Sequence, residues 1–424
     1  ANSVFAADVD GDGDVDVLSA SVNDDKIALY VNDGSNKFTE QTISTNADGA
    51  CSVFAADVDG DGDVDVLSAS AIDNKADVDG DGDVDVLSAS AIDNKIALYE
   101  TVPANVNLKS GPEFQINTHT DSSQMDPAVT ALSDGGFVVT WESKEQDSSS
   151  WRVYGPWGVY GQRYDKNGEE AGDEFKINTH TNNAQRHPAV TALSDGGFVV
   201  IWQSDRQDGS SWGVYGQRYD KNGEEAGGEF PINTYTDDEQ GDLAVTALDD
   251  GGFVVTWQSK GQDGSDRGVY GQRYNKNGEE AGGEFPINTY TNNSQRDPAV
   301  TALDDGGFVV TWQSEGQDGS SWGVYGQRYN KNGEEAGGEF PINTYTNSSQ
   351  REPTVTALSD GGFVVTWQSE GQDGSSWGVY GQRYNKNGEK AGGEFQINTE
   401  TTDDQSRPEV TALSDGGFVV TWQS

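Results

Sequence analysis

The sequence is poor in the residues from which disulfide frameworks, metal centres and membrane spans are built. Its 424 residues include one cysteine, one methionine and three histidines. Cys51 alone cannot close a disulfide within the chain, which excludes a disulfide-stapled scaffold. His119, His180 and His187 leave little room for a histidine-rich transition-metal site. Basic residues are scarce too: 26 Lys and Arg stand against 72 Asp and Glu, a formal net charge of −46. So acidic a surface repels nucleic acid and anionic membranes. No apolar run approaches the ~18–20 residues that span a bilayer, so membrane insertion is not expected. Apolar residues make up only 33% of the chain, and low hydropathy with high charge often means disorder. The 10% aromatic content, with tryptophan at regular spacing, argues for folding instead. No signal peptide is visible after Ala1, and Ser424 falls inside a repeat, so a segment of something longer is expected.

Two families of internal repeats organise what is present. In residues 1–109 the block SVFAADVDGDGDVDVLSAS occurs at Ser3–Ser21 and returns at Ser52–Ser70. A shortened copy at Ala76–Lys95 is identical to Ala56–Lys75, either a recent duplication or an error in the sequence. Residues 110–424 hold five and a half copies of a second repeat. Its GGFVV anchor places Phe at 137, 198, 253, 308, 363 and 418, and its YGQRY anchor ends at Tyr164, Tyr219, Tyr274, Tyr329 and Tyr384, 55 residues apart. An insertion around Ser149–Trp157 stretches the first GGFVV interval to 61.

One repeat, Pro298–Asn343, reads as four short strands. PAVTAL is β-prone and runs into the turn DDGG, whose glycines accept positive φ. FVVTWQS alternates, with Phe308, Val310 and Trp312 on one face and Val309 and Thr311 on the other. GVYGQRY and EFPINTY are the third and fourth strands, separated by the turn NKNGEEAGG. The N-terminal unit parses the same way, as VFAADV, DVDVLSAS, KIALYVN and FTEQTIS. Four antiparallel strands per unit, with no helical periodicity, describe a propeller blade. The prediction is an all-β, propeller-like fold of four-stranded blades, seven to eight of them closing one ring.

The strongest chemical signal is D-x-D-x-D-G-D-x-D. It occurs at Asp8, Asp10, Asp12, Asp14 and Asp16; at Asp57, Asp59, Asp61, Asp63 and Asp65; and at Asp77, Asp79, Asp81, Asp83 and Asp85. Carboxylates so dense repel one another unless a hard cation sits among them, and Ca²⁺ is the usual one. Gly13, Gly62 and Gly82 allow the sharp turn. An EF-hand needs Glu at loop position 12, where Ser19, Ser68 and Ser88 stand here, so that motif is excluded. Residues 1–109 carry 23 acidic and 5 basic side chains, a net of −18, so the loops explain a local density and not the whole charge.

On these loops, residues 1 to about 103 resemble FG-GAP/VCBS repeats, found in integrin-α-like propellers and many secreted bacterial proteins. The resemblance implies that each acidic loop joins the first two strands of a blade and binds Ca²⁺, with Asp14, Asp63 and Asp83 contributing through their carbonyls. The 55-residue repeats, with GGFVVTWQS and GVYGQRY, resemble tandem repeats of large bacterial calcium-binding adhesins.

Trp141, Trp202, Trp257, Trp312, Trp367 and Trp422 end the FVVTW strands and are assigned to the core. Trp212, Trp322 and Trp377 precede GVYG after a polar loop and are candidate platforms for a sugar ring; one repeat has Arg267 there. The arginine of YGQRY is expected to pair with a neighbouring acid. Every conspicuous polar residue recurs from copy to copy, and no GxSxG, HExxH, P-loop or Rossmann glycine pattern is present, so no enzyme and no catalytic residue is expected. The expected function is that of an extracellular, calcium-stabilised repeat protein with a structural or adhesive role on a bacterial surface or filament. Its expected partners are calcium, glycans or other surface proteins, and further copies of itself. A lectin-like glycan-binding propeller and a polysaccharide-degrading enzyme are the alternatives.

Overall fold

The computed structural model describes residues 3–7, 9, 15–21, 26–32, 37–44, 47–56, 65–74, 84–85, 88–90, 95–98 and 100–101, and residues 114–423 apart from 145, 147–156, 320, 375 and 414–415. The described residues are all-β, with no helix among them. Six four-stranded antiparallel sheets follow in chain order, each with its strands in simple sequence order. This is the blade pattern of a propeller. Seven to eight blades were expected; the described residues hold six complete ones. The second acidic-loop unit supplies a two-stranded pairing of Ala47–Ala56 with Asp65–Asn74. The sixth copy of the long repeat supplies only the strands Ser406–Ala412 and Phe418–Gln423. The chain divides into two compact units, Ala1–Ala192 with Leu413–Gln423, and Leu193–Ala412.

In the first unit, the N-terminal blade consists of Ser3–Ala7, Asp16–Ser21, Lys26–Asn32 and Phe38–Ser44, the four strands read from the sequence. Leu18, Ala20, Ala28 and Leu29 form its apolar interior.

In the second unit, the fourth long repeat shows why these residues form a blade. Its strands are Gln295–Ala302, Phe308–Glu315, Trp322–Tyr329 and Phe340–Pro341. The second strand is buried along nearly its whole length, because alternate side chains enter two different cores. Phe308, Val310 and Trp312 pack with Leu248, Val254 and Val269 of the preceding repeat. Val309 and Val324 pack with Phe363, Val365 and Trp367 of the following one. The period-2 pattern was therefore legible, but both faces are interior, as in a sheet covered on both sides. Phe308 also stacks on Tyr329 at 4.7 Å, directly across the pair. Gly307 sits where a Cβ would lie 2.2 Å from the Tyr329 carbonyl oxygen, so no larger residue fits the start of this strand.

Two elements differ from their sequence reading. The fourth strand is only Phe340–Pro341; Asn343 instead leaves the sheet and becomes a latch. Its Oδ1 accepts the Val324 N–H at 2.7 Å, and its Nδ2 donates to Tyr345 O and to Gln350 Oε1 at 3.1 Å. The first strand begins three residues before Pro298, at Gln295, and contains a bulge between Arg296 and Ala299.

Candidate functional site

The bulge is where the repeats stop being copies of one another. In each long repeat a buried glutamine opens the first strand or, in the sixth, immediately precedes it, and two residues later one side chain is held at positive φ. These residues are Asp126 (47°), His187 (53°), Asp242 (46°), Asp297 (52°), Glu352 (52°) and Arg407 (51°). None is glycine, and left-handed backbone costs such residues on the order of 1–3 kcal/mol. The strained backbone is kept in six copies while its side chain varies among Asp, His, Glu and Arg, all of them charged or ionisable. The latch asparagine fixes the glutamine before the bulge, and the polar residue after the tryptophan of the preceding repeat's second strand fixes the bulge itself. Gln313 Oε1 accepts the Glu352 N–H at 3.1 Å, and Gln368 Oε1 accepts the Arg407 N–H at 2.9 Å.

In the first unit this arrangement carries a substitution found in one repeat only. The residue that is Gln203, Gln258, Gln313 and Gln368 elsewhere is Glu142. Its Oε2 still accepts the N–H of the next bulge residue, His187, at 3.1 Å. Glu142 is 1% exposed, and burial, followed by the charge of Asp126, pushes its carboxyl up to about 7. Asp126 and His187 are exposed beside it. His187 Nδ1 lies 2.9 Å from Asp126 Oδ2, and this hydrogen bond raises the imidazole pKa above its ordinary value. Donor atoms of Asp126, Glu142 and His187 all lie within 4.8 Å of one another. A carboxyl whose pKa burial raises thus stands beside a second carboxyl held by a histidine, the kind of pairing from which acid and base roles are assigned.

The second unit carries a row of acids at the same register. Burial, then the charges of Asp242 and Glu352, pushes Asp297 up to about 6, and Asp297 is hydrogen-bonded to Asp242. Burial raises Glu352 as well, while Arg407 and Arg351 draw it down.

The residues singled out from the sequence lie elsewhere. Of the acidic-loop ligands, Asp16 is fully buried; its Oδ2 accepts the Val9 N–H at 3.0 Å and its Oδ1 the Asn32 N–H at 2.8 Å. It thereby ties the start of the second strand to the backbone of Val9 and to the end of the third strand. Asp65 and Asp85 fall in strands. Asp8, Asp10, Asp12, Asp14, Asp57, Asp59, Asp61, Asp63, Asp77, Asp79, Asp81 and Asp83 lie outside the described residues. The donor set is all hard oxygen and fits Ca²⁺ chemically. Among the proposed sugar platforms, Trp322 is buried, with the guanidinium groups of Arg296 and Arg351 at 5.4 and 5.3 Å from its ring. Trp377 has Arg351 at 6.0 Å, and Trp212 is half-buried. The strand-ending Trp141, Trp202, Trp257, Trp312 and Trp367 are fully buried, as assigned. The YGQRY arginines pair with acids, Arg328 with Asp305 at 3.1 Å for example. An apolar groove of about 380 Å³ in the first unit, between Tyr30 and Phe38 on one side and Val420 and Trp422 on the other, holds no carboxylate, histidine or basic group.

Comparison with known proteins adds three findings. The FG-GAP-like repeat family matches residues 8–68. No curated protein shows significant similarity to the chain. Among solved structures, the chain is similar to an α-L-arabinanase from Penicillium chrysogenum complexed with arabinobiose (16% identity, TM-score 0.46, covering 70% of this chain and 88% of that one). It is also similar to an α-L-arabinofuranosidase from Fusarium graminearum (13%, 0.47, 70% and 88%) and to a protein of unknown function from Dyadobacter fermentans (12%, 0.44, 70% and 90%).

The expectation of a non-enzymatic chain is corrected at its premise, that every conspicuous polar residue recurs from copy to copy: among the described residues the Asp126–Glu142–His187 cluster occurs in one place only. Aligning the repeats on GGFVV would have exposed it, as Glu in place of Gln and as the changing residue two positions after the opening glutamine.

Proposed function

We propose that the chain hydrolyses glycosidic bonds at the Asp126–Glu142–His187 cluster. The observation that carries this reading is the cluster itself: two carboxyl groups within 4.8 Å, one pushed up to about 7 and the other anchored by an imidazole. Retaining glycosidases keep their carboxyl groups ~5–5.5 Å apart, and inverting ones ~6.5–9.5 Å apart to admit a water. The shorter spacing here suits retention. Glu142 gives its proton to the glycosidic oxygen as the C1–O bond breaks, and the Asp126 carboxylate bonds to C1. Glu142, now a carboxylate, takes a proton from water; the water oxygen bonds to C1 and Asp126 leaves as a carboxylate. His187 acts through Asp126, holding its carboxylate in place.

The test is reducing-end release from a panel of plant and algal polysaccharides, with product stereochemistry read by proton NMR. Retention is expected, with kcat/KM falling as pH rises through about 7, where Glu142 loses its proton. An unaltered rate in Glu142→Gln overturns the assignment.

The acidic loops have a separate role in this reading. Ca²⁺ held by Asp8, Asp10, Asp12 and Asp16, and by the equivalent acids of the second loop, stiffens the first two acidic-loop units in an extracellular setting, where millimolar Ca²⁺ saturates weak sites. The FG-GAP-like match over residues 8–68, which spans two of the loops, supports this. A melting temperature of the whole chain unchanged by EDTA counts against it.

A further inference from the structure

In a chain this acidic, a described arginine without a nearby carboxylate is an exception. Arg163, Arg206, Arg218, Arg267, Arg273, Arg296, Arg328 and Arg383 each have an Asp or Glu oxygen within 4.0 Å. Among the described residues the remaining three, Arg186, Arg351 and Arg407, have no such ion pair. All three stand at the bulge of a first strand: Arg186 and Arg351 one residue before it, Arg407 at it. Among the described arginines, the three without a carboxylate oxygen within 4.0 Å are therefore those placed beside the strained positions.

Arg186 is the one that belongs to the hydrolytic cluster. It precedes His187, and its charge bears on Glu142 and His187. Its guanidinium lies over the Trp157 ring, 4.6 Å from the centroid, and its Nε is buried without a hydrogen-bond partner. A guanidinium stacked on a ring keeps its in-plane N–H fork available for a planar or tetrahedral oxyanion. Arg351 repeats the arrangement in the second unit, over Trp322 at 5.3 Å, again with a buried, unpartnered Nε. The fold does not require arginine here: Met125, Gly241 and Ser406 occupy the same position in other repeats.

We propose that the substrate is an acidic polysaccharide, and that Arg186 receives an anionic group of a sugar, carboxylate or sulfate, next to the bond cleaved at Glu142. This rests on the hydrolase reading for the bond cleaved, but not for the binding. The net charge of −46 opposes a polyanion at long range, yet at 0.15 M salt its field is screened beyond ~8 Å, and a charge-assisted fork at contact decides.

Affinity electrophoresis and calorimetry on the full chain at 0.15 M salt test it, with polygalacturonate, a sulfated galactan and neutral linear arabinan as probes. Retardation is expected with polygalacturonate or the sulfated galactan, whichever carries the right anion, and not with arabinan. Arg186→Met is expected to weaken that binding at least tenfold with an unchanged melting temperature, Arg186→Lys to weaken it less, and Arg206→Lys, on an exposed loop, to leave it as it is. Equal binding of arabinan, or full binding by Arg186→Met, overturns the proposal. Anionic binding without cleavage in wild type sinks the hydrolase reading alone; cleavage of arabinan in preference to both polyanions sinks this inference alone.

Discussion

The first and fourth long repeats share their blade pattern and differ, at the position after the second-strand tryptophan, in one acid. In the first, the second strand ends T-W-E-S-K; in the fourth, T-W-Q-S-E. In both, the polar side chain that follows the tryptophan accepts the N–H of the next bulge residue, Glu142 from His187 and Gln313 from Glu352, each at 3.1 Å. One NH₂ exchanged for one oxygen leaves this hydrogen bond intact and adds a group that titrates near neutrality. A tandem repeat can thus acquire a single reactive position without redesigning its scaffold, because the glutamine has already paid for burying a polar group there.

The largest expected effect breaks the comparison outright. Glu142→Gln makes the first repeat chemically like the fourth. It removes the proton donor and is expected to lower kcat/KM by ~10²–10⁴-fold on the substrate found, measured by product release. The chain should remain folded, since glutamine is native at this position in the other repeats. Asp126→Asn should lose a comparable factor while leaving binding of an uncleaved oligosaccharide measurable.

Next come the tryptophans one position earlier. Trp141→Ala and Trp312→Ala each remove a fully buried ring and are expected to cost about 3–5 kcal/mol in chemical denaturation. The first repeat should lose more, by about 1 kcal/mol. Trp141 Nε1 donates to Gln124 Oε1 at 3.0 Å, whereas Trp312 Nε1 is buried without a partner and Gln295 Oε1 already accepts from Asn288. Equal losses would mean that the indole hydrogen bond contributes nothing.

The blades were legible in the sequence because their determinants are local and repeated. FVVTWQS alternates, DDGG and NKNGEEAGG turn, and the 55-residue spacing sets the unit. The candidate site was hidden for the opposite reason. The opening of the first strand, Gln-Arg-Asp in Gln295–Asp297, has no strand-like pattern and precedes a proline, so it reads as a loop. Only the latch from Asn288 and the pairing of Gln295 with Ser314 make it a strand with a bulge. Single differences between copies, such as Glu142 for Gln, look like drift until the structure places Asp126 and His187 beside them. Asp16 was legible as a loop residue, but its two backbone hydrogen bonds depend on strand pairing that spacing alone does not show.

The same Glu142→Gln variant has a smaller, pH-dependent effect on stability. The folded carboxyl titrates at about 7 and the unfolded one near its model value of 4.5. Between these values the folded state holds the proton that the unfolded state releases, so stability falls as pH rises and levels off above the folded pKa. Replacing Glu142 by Gln removes that loss. The variant should be more stable than wild type at pH 8, by on the order of 1–3 kcal/mol, and nearly equal at pH 4. A variant less stable than wild type at pH 8 would show that the buried carboxylate is compensated there, and would count against its role as an acid.

The smallest effect concerns the ion pair each repeat places at its first turn. In the fourth repeat Arg328 Nη2 meets Asp305 Oδ2 at 3.1 Å and also donates to the carbonyl of Lys386 in the next repeat. In the first repeat Arg163 meets Asp134 at 3.5 Å. The aspartates are about half exposed, so solvent screens both pairs. Each Asp also accepts an N–H in its own turn, from Gly307 at 2.9 Å and from Gly136 at 3.0 Å. Asp305→Ala should therefore cost about 1 kcal/mol, with the ionic part fading in 1 M salt, and Asp134→Ala a few tenths less. If the two losses match and neither responds to salt, the turn hydrogen bond carries the whole effect. The two repeats would then be the same scaffold at this end of the strand, and their difference would reduce to Glu142 and the residues around it.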